Sequence, residues 1–340
     1  MDVLSNDIME AYSQVRAELL RLRFYGWPRE IAVECTTHCN ARCKHCTHDE
    51  LIRSGARQSK SADKYEIFYR VVKARMLCLL TRCPDACIEP VGLGEPLLHK
   101  DICEIIEFMC GLFEKVNLNT NCSMLSDEMS RKLIELPLNC ITLSLSYENR
   151  NVFEREVGLD YQSVRENVKH YLMLRKQKQN VASIVIVHIF DNNYNSDSDN
   201  EMFRREMRPF LMDGDRIQLR PYYEFNGEAL TNKQHRMDVA PCESLWQVLM
   251  IDVDGWAFPC CMGGWKPFDE KLSIGSIRDG VDAIVRNLMK LREDQINGNM
   301  GNCPSCFVLK MNGAFVKRRS VYNIERSVRG PITLLSDSHL

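Results

Sequence analysis

Cys39, Cys43 and Cys46 stand in one short run, Cys39-Asn-Ala-Arg-Cys43-Lys-His-Cys46, just after an apolar stretch (Ile31, Ala32, Val33) that reads as a strand. The run should therefore sit on the loop leaving that strand. Thiolates are the usual ligands of iron–sulfur clusters, and three of them leave one iron of a four-iron cluster without a protein ligand. An iron left open in this way can bind a small chelating molecule, as open positions do in catalytic metal sites. Zinc is the alternative occupant, but it normally wants four ligands. His38, His45 and His48 lie close by, yet no fourth Cys or His is obviously spaced to complete such a site.

The elements that must position these cysteines are legible as alternating runs. Apolar or β-branched stretches at Glu30–Thr36, Cys87–Leu93, Lys115–Asn121, Cys140–Ser146, Ser183–Phe190 and Arg216–Tyr223 read as strands. Helical patterns at Lys64–Leu80, Asp101–Phe113, Asp127–Leu136, Tyr161–Gln177 and Glu201–Met212 fall between them. Such alternation implies an α/β fold with a parallel sheet and right-handed crossovers. Six βα units are too few for a closed eight-stranded barrel, so an open, curved (β/α)6 partial barrel is expected over residues 30–225. Residues 1–29 read as an amphipathic cap helix (Ile8, Tyr12, Val15, Leu19, Leu22), and Asp191–Asn200 as a solvated loop. A small α+β domain is expected at 226–320 and a polar tail at 321–340.

The second strand runs into Val91-Gly92-Leu93-Gly94-Glu95-Pro96, and glycines at such a strand end let a ligand approach the backbone. Alone this segment is equally a turn. Placed about 45 residues after a C-x3-C-x2-C run, it resembles the Gly-Gly-Glu-Pro motif of the radical S-adenosylmethionine (radical SAM) superfamily. The spacing of Cys39, Cys43 and Cys46 resembles that superfamily too, with His45 at the position of its aromatic-type residue. Leu93 stands where the family has the first glycine of its pair. The resemblance implies a [4Fe–4S] cluster on those three cysteines, with SAM chelating the free iron. It also implies that Gly94 and the backbone near Glu95 and Pro96 hold the SAM amino group. By family position Asn119 and Ser144 reach the ribose and carboxylate, although ordinary strand-end capping is an equal alternative for each. Arg220, for which a solvated arginine is the comparable alternative, and His188 are expected near the same mouth, Arg220 pairing with a carboxylate of SAM or substrate. Tyr222, Tyr223, Glu224 and Trp265 are further candidates there.

Cys242, Cys260, Cys303 and Cys306 form a second set, laid out C-x17-C-x42-C-x2-C around a hairpin-like segment, Val248–Ile251, Asp254-Gly255, Trp256–Phe258. A helix near Asp282–Glu293 follows the hairpin. Four thiolates can ligate a cluster completely or build a zinc ribbon. The layout resembles the Twitch domain, the shortened SPASM extension, and that implies one auxiliary [4Fe–4S] cluster. Cys35, Cys78, Cys103, Cys110, Cys122 and Cys140 fall on strands or apolar helix faces and read as small hydrophobes. Cys83 and Cys87 flank a strand entrance, where a disulfide or a third cluster is the rival reading. Cys261, beside a proposed ligand, should lie near the mouth, either as a bystander or as a hydrogen-atom donor.

Composition bounds the rest. The 340-residue chain can bury a large core, and its net charge of −2 gives no footprint for nucleic acid. No run of about 18 apolar residues marks a membrane span, and the N-terminus lacks the order of a secretion signal. Sixteen cysteines in such a chain point to metal binding in a reducing, cytoplasmic compartment rather than to a disulfide framework. The resemblance implies a 5′-deoxyadenosyl radical that abstracts hydrogen from a small-molecule or short-peptide substrate, with flavodoxin or ferredoxin as electron donor. Paired with an auxiliary cluster, the layout resembles the aminocyclitol dehydrogenases, so oxidation of a carbinol is expected. Epimerisation of a peptide or aminoglycoside with Cys261 as hydrogen donor is the main rival. Peptide crosslinking is a further one, disfavoured because about 29 residues before the first strand are too few for a leader-peptide-binding domain. From another class, a non-catalytic zinc or iron–sulfur module would need no Gly94-Glu95-Pro96.

Overall fold

Strand–helix alternation produces the parallel sheet that the pattern predicts. A computed structural model describes residues 28–81, 83–190, 197–221, 244–260 and 272–297. Its parallel strands are β1 (Glu30–Val33), β2 (Cys87–Glu89), β3 (Lys115–Thr120), β4 (Cys140–Ser144), β5 (Ser183–Phe190) and β6 (Arg216–Pro221). The helices among them are α1 (His48–Arg53), α2 (Lys64–Leu80), α3 (Ile102–Leu112), α4 (Asp127–Glu135), α5 (Arg150–Val157), α6 (Tyr161–Lys178) and α7 (Asp197–Met207). Beyond them come α8 (Ser244–Gln247), β7 (Val248–Ile251), β8 (Trp256–Phe258), β9 (Gly275–Ser276) and α9 (Val281–Ile296). Strand β2 is shorter than its apolar run because Pro90 has no N–H to give the ladder.

Consecutive strands are neighbours throughout the barrel half, so right-handed crossovers place every helix on one face. Alternation sorts the side chains. Val116, Leu118, Ile141, Leu143, Ile184 and Ile186 enter the helix-side core with Ile67, Val71, Ile105 and Leu172. The half-buried Asn117, Asn119, Thr142 and Ser144 alternate with them and line the other face. Side-chain caps start several of the helices: Asp63 accepts from the Tyr65 amide at 2.8 Å, and Asp160 from Ser163 at 2.7 Å.

One expectation changes here. Asp197 to Asn200 belong to α7 rather than to a solvated loop, and Asn200 is buried; Asp191 to Ser196 lie outside the described residues. The sheet continues beyond the six barrel strands. Strand β7 pairs parallel with β1, placing Glu30 opposite Val248 and Val33 opposite Ile251. Strands β8 and β9 then extend the same sheet antiparallel. Asp254-Gly255 turns the hairpin as expected, with Gly255 at φ +88°. A small apolar cluster of Ala32, Met250 and Phe258 seals the junction.

Buried charge fastens that junction. Arg57 Nη2 donates to Glu34 Oε2 at 2.6 Å, and its Nη1 lies 3.4 Å from Asp252 Oδ2. All three side chains are buried, and burial pushes both carboxyls up against the pull of Arg57. Asp252 Oδ1 also accepts from the amides of Asp254 and Trp256, each at 2.9 Å, which shapes the hairpin turn. From α2, the fully buried Arg70 donates to the Asp252 carbonyl at 2.9 Å. Removing the cation leaves two buried carboxylates facing each other, and such half-broken pairs are expensive. Arg57→Met should therefore lose about 3–5 kcal/mol in urea unfolding, with Arg57→Lys recovering only part of it.

Candidate active site at the carboxyl ends of the strands

The cysteine loop is held at every turn by backbone and short polar side chains. Beyond β1, Thr37 exchanges backbone and hydroxyl bonds with Lys60 and donates to the Gln58 carbonyl at 2.7 Å. Thr36 Oγ1 lies 2.7 Å from Ser61 Oγ and accepts from the His38 amide at 3.0 Å. Farther along, the Arg42 amide donates to the Val157 carbonyl at 2.8 Å and the Lys44 amide to Glu156 at 2.9 Å. These bonds dock the loop on the C-terminal end of α5, where Gly158 takes φ +75° with Arg42 packed against it. The loop closes on itself where His48 Nε2 meets the Thr37 carbonyl at 2.7 Å.

Within this frame Cys39, Cys43 and Cys46 are half-buried neighbours. Burial pushes the Cys39 thiol up to about 11, and the Cys46 and Glu95 charges push in the same direction. Cys43 is raised further, by burial and then by its two sister thiols. The donor set is thus three sulfurs that repel one another as thiolates, so a strongly positive group is needed to hold them ionised together. That chemistry fits an iron–sulfur cluster. Among the described residues no three His, Cys, Asp or Glu side chains are grouped to hold a single metal ion. His45 lies beside Cys46, and burial lowers its ring to about 4, so it is neutral at physiological pH.

The segment after β2 is pressed against this loop. A Cβ on Gly94 would lie 2.2 Å from the Thr36 carbonyl oxygen and 2.7 Å from that of His38. The next amide, Glu95, donates to the His38 carbonyl at 2.8 Å. Gly94 is therefore demanded by backbone packing. Gly92 is equally constrained, since a Cβ there would lie 2.4 Å from Glu34 Cγ. The Glu95 side chain turns inward and accepts from Thr120 Oγ1 and the Asn121 amide, both at 2.7 Å, and from the Leu97 amide at 3.1 Å. Burial raises its carboxyl to about 7 despite these donors. Pro96 opens the short 3-10 turn Pro96–Leu98. Glu95 thus ties the turn after β2 to the end of β3.

At the ends of β3 and β4 the chain turns through left-handed conformations at Cys122 (φ 67°) and Tyr147 (φ 55°), unusual for residues with a Cβ. Asn121 Nδ2 donates to Asn40 Oδ1 at 3.1 Å, and Ser123 Oγ donates to Asn121 Oδ1 at 2.6 Å. The same Asn121 amide lies 4.0 Å from Cys39 Sγ. Asn40, Asn121 and Ser123 escaped the sequence reading, although Asn121 closes an Asn-x-Asn-x-Asn run that marks the strand end. Asn119 and Ser144 are brought together, with Ser144 Oγ donating to Asn119 Oδ1 at 3.2 Å.

His188 is a correction. It shares the register of Ile184 and Ile186, stacks on Phe203 with ring centroids 4.2 Å apart, and donates from Nδ1 to the Leu145 carbonyl at 2.9 Å. It faces the helix layer, and burial lowers its ring to about 4. Arg220 lies on β6 opposite Ile189. Tyr222, Tyr223, Glu224, Cys242, Cys261, Trp265, Cys303 and Cys306 lie outside the described residues. Cys260 is half-buried just beyond β8. Of the cysteines read as buried hydrophobes, Cys35, Cys78 and Cys122 are buried, while Cys103, Cys110 and Cys140 are partly exposed. Cys83 and Cys87 are both free thiols.

Residues 242–307 match the SPASM family, an iron–sulfur cluster-binding domain. Among solved structures, BtrN in complex with AdoMet and 2-DOIA superposes with a TM-score of 0.51 at 16% identity, over 82% of this chain and 92% of that one. Streptococcus suis SuiB bound to its precursor peptide SuiA gives 0.58 at 13% identity, over 88% and 74%. The chain shares the fold of these two structures, and its residues 242–307 match the SPASM iron–sulfur domain. A probable GTP 3',8-cyclase of Methanopyrus kandleri is 31% identical over 129 residues, so the match spans only 37% of this chain and 37% of that relative. No helix among the described residues is long and apolar enough to cross a membrane.

Because two carbonyls occupy the space a Gly94 side chain would need, Gly94→Ala should push the cysteine loop away from the β2 turn. Overpacking of this kind costs about 1–3 kcal/mol. The measurement is iron per chain after anaerobic reconstitution, expected to fall by most of its value while Gly111→Ala, which meets open space, retains it.

Proposed function

We propose that this protein cleaves SAM reductively and uses the resulting 5′-deoxyadenosyl radical to take hydrogen from a C–H bond of a carbinol or amino-sugar-type small molecule. The supporting observation is the trio Cys39, Cys43 and Cys46 on a loop fixed at both ends, with the Gly94–Glu95 backbone packed against it. When bound there, a [4Fe–4S] cluster supplies the electron that splits SAM, and a second cluster on Cys242, Cys260, Cys303 and Cys306 supplies an acceptor for the substrate's electron.

The chain's own residues then position and shield. Glu95, held by three donors, keeps the turn after β2 and the end of β3 in one arrangement. Ser144 gives its proton to Asn119, which leaves the Asn119 amide as donor and the Ser144 oxygen as acceptor for a ribose. Gly94 and the backbone at Glu95 and Pro96 would meet the SAM amino group, with His45 alongside. Arg220 would serve as the carboxylate partner. An external one-electron donor of the flavodoxin or ferredoxin kind completes the cycle.

The fold shared with BtrN, whose structure holds 2-DOIA, favours a small molecule. The fold shared with peptide-bound SuiB keeps a peptide as the second reading, and with it epimerisation using Cys261. Strand β8 runs antiparallel to β7 and carries the chain back toward the amino ends before Cys260.

Two measurements decide. Wild-type protein with dithionite and SAM should form 5′-deoxyadenosine, and Cys39→Ala should form none; turnover by the variant would overturn the whole reading. With substrate, an oxidation yields a product lighter by two hydrogens, carries no solvent deuterium and survives Cys261→Ala. Solvent deuterium at the reacting carbon, lost in Cys261→Ala, would establish epimerisation instead.

A further inference from the structure

Helix α2 is apolar on two faces. Ile67, Val71, Ala74 and Cys78 are buried against the sheet and its neighbouring helices. On the outer side Tyr65, Tyr69, Val72, Met76 and Leu79 are 39–71% exposed, and Leu80 adds to them. These five recur at steps of four, three, four and three residues. That is the spacing of a coiled-coil seam, which keeps one narrow stripe facing a partner helix. A helix apolar all round belongs in an interior, and an exposed apolar stripe of this size marks a contact surface. Lysine stems over the Tyr65 and Tyr69 rings cover only part of it.

The amino-terminal segment carries the complementary pattern. Ile8, Tyr12, Val15, Leu19 and Leu22 recur at the same four-three-four-three steps, and each precedes its counterpart on α2 by 57 positions. Glu10, Gln14, Arg16 and Arg21 fall between them. Both stripes span about 21 Å as helix. This segment has one apolar face and needs one surface to bury it.

The chain enters the described structure at the right end. Cys87 at the start of β2 donates to the Arg29 carbonyl at 2.7 Å, and the Arg29 guanidinium feels the charges of Cys83 and Asp85. Pro28 and Arg29 therefore lie beside the loop that follows the C-terminal end of α2. From Leu22 to Pro28 an extended chain reaches about 20 Å, ample for the 8–10 Å between packed helix axes. A helix ending there and lying along α2 must run parallel to it, pairing Leu22 with Leu79 and Ile8 with Tyr65.

We propose that residues 5–24 form a helix that docks parallel on the outer face of α2 as a two-stranded coil. The inference is independent of the reaction the protein catalyses. The occupant is this chain's own segment: its stripe matches in length and step, and its tether ends beside the C-terminal end of α2. Docking sheathes the helix that carries Arg70 to the Asp252 carbonyl.

The full-length protein tests this in two ways. Tryptic cleavage after Arg16, Arg21 and Arg23 should be slow in the wild type and about tenfold faster in Met76→Asp and in Val72→Asp, because cleavage follows the undocked population. Equal rates in wild type and variants would overturn the proposal. Independently, p-benzoylphenylalanine placed at Val72 should crosslink on irradiation to a peptide within residues 5–24 of the same chain. A crosslink to any other segment, a light–heavy crosslink in an isotopically mixed sample (a second copy on the stripe), or none at all would refute it.

Discussion

One carboxylate organises the top of this molecule. Glu34 Oε1 accepts from the Leu93 amide at 2.9 Å, while Oε2 accepts from Arg57 at 2.6 Å and from the Val253 amide at 3.1 Å. Four segments that no helix or strand would otherwise bring together meet on it: the root of the cysteine loop, the loop between α1 and α2, the turn after β2 and the SPASM-region hairpin. A buried carboxylate tolerates such a position only when a cation and hydrogen-bond donors compensate its charge. The requirement works in both directions, because each donor is held as firmly as the acceptor. Gly92 is part of the same constraint, since only hydrogen fits above the Glu34 side chain. What looks like a ligand-binding glycine is also the lid over a buried charge.

A second carboxylate repeats the device a short distance away. Glu95 draws in donors from the end of β3 and from its own turn. Between the two acids, the backbone from Gly92 to Leu97 has almost no freedom, and the cysteine loop lies against it. Sites of this kind gain precision when the groups behind the contact residues are themselves locked. The three thiols therefore stand on a loop whose conformation is already settled by Thr36, Thr37, Lys60 and α5. Pre-ordering of that sort lowers the entropy lost on binding.

Much of the fold was legible because it follows from local period. The six strands, the long helices, the hairpin turning at Asp254-Gly255 and the helix near residue 282 all carry their signals in adjacent residues. The cysteine trio and the Gly94-Glu95-Pro96 turn were legible because chemistry fixes their spacing. What escaped was long-range or masked by composition. Glu34 carries no mark of its own inside the Glu30–Thr36 run, and no local pattern links it to Arg57 or links Arg57 to Asp252. Asp197 to Asn200 read as loop because polar residues dominate there, yet tertiary packing of Phe203 and Met207 holds α7. His188 seemed a candidate for the mouth because strand ends favour function, but one step of pleat sends it to the helix side. The short α1 and α5 have too few residues for a period to show.

The pairing of β1 with β7 carries a consequence for how the chain assembles. Strand β1 needs a neighbour on each side: β2 follows within a single crossover, but β7 begins at Val248. During synthesis one flank of β1 stays open until more than two hundred further residues have left the ribosome. Contacts between segments so distant in sequence form slowly, and an unpaired strand edge invites association with other chains in the meantime. Late arrival of the cluster-binding segment is thus also the step that closes the sheet.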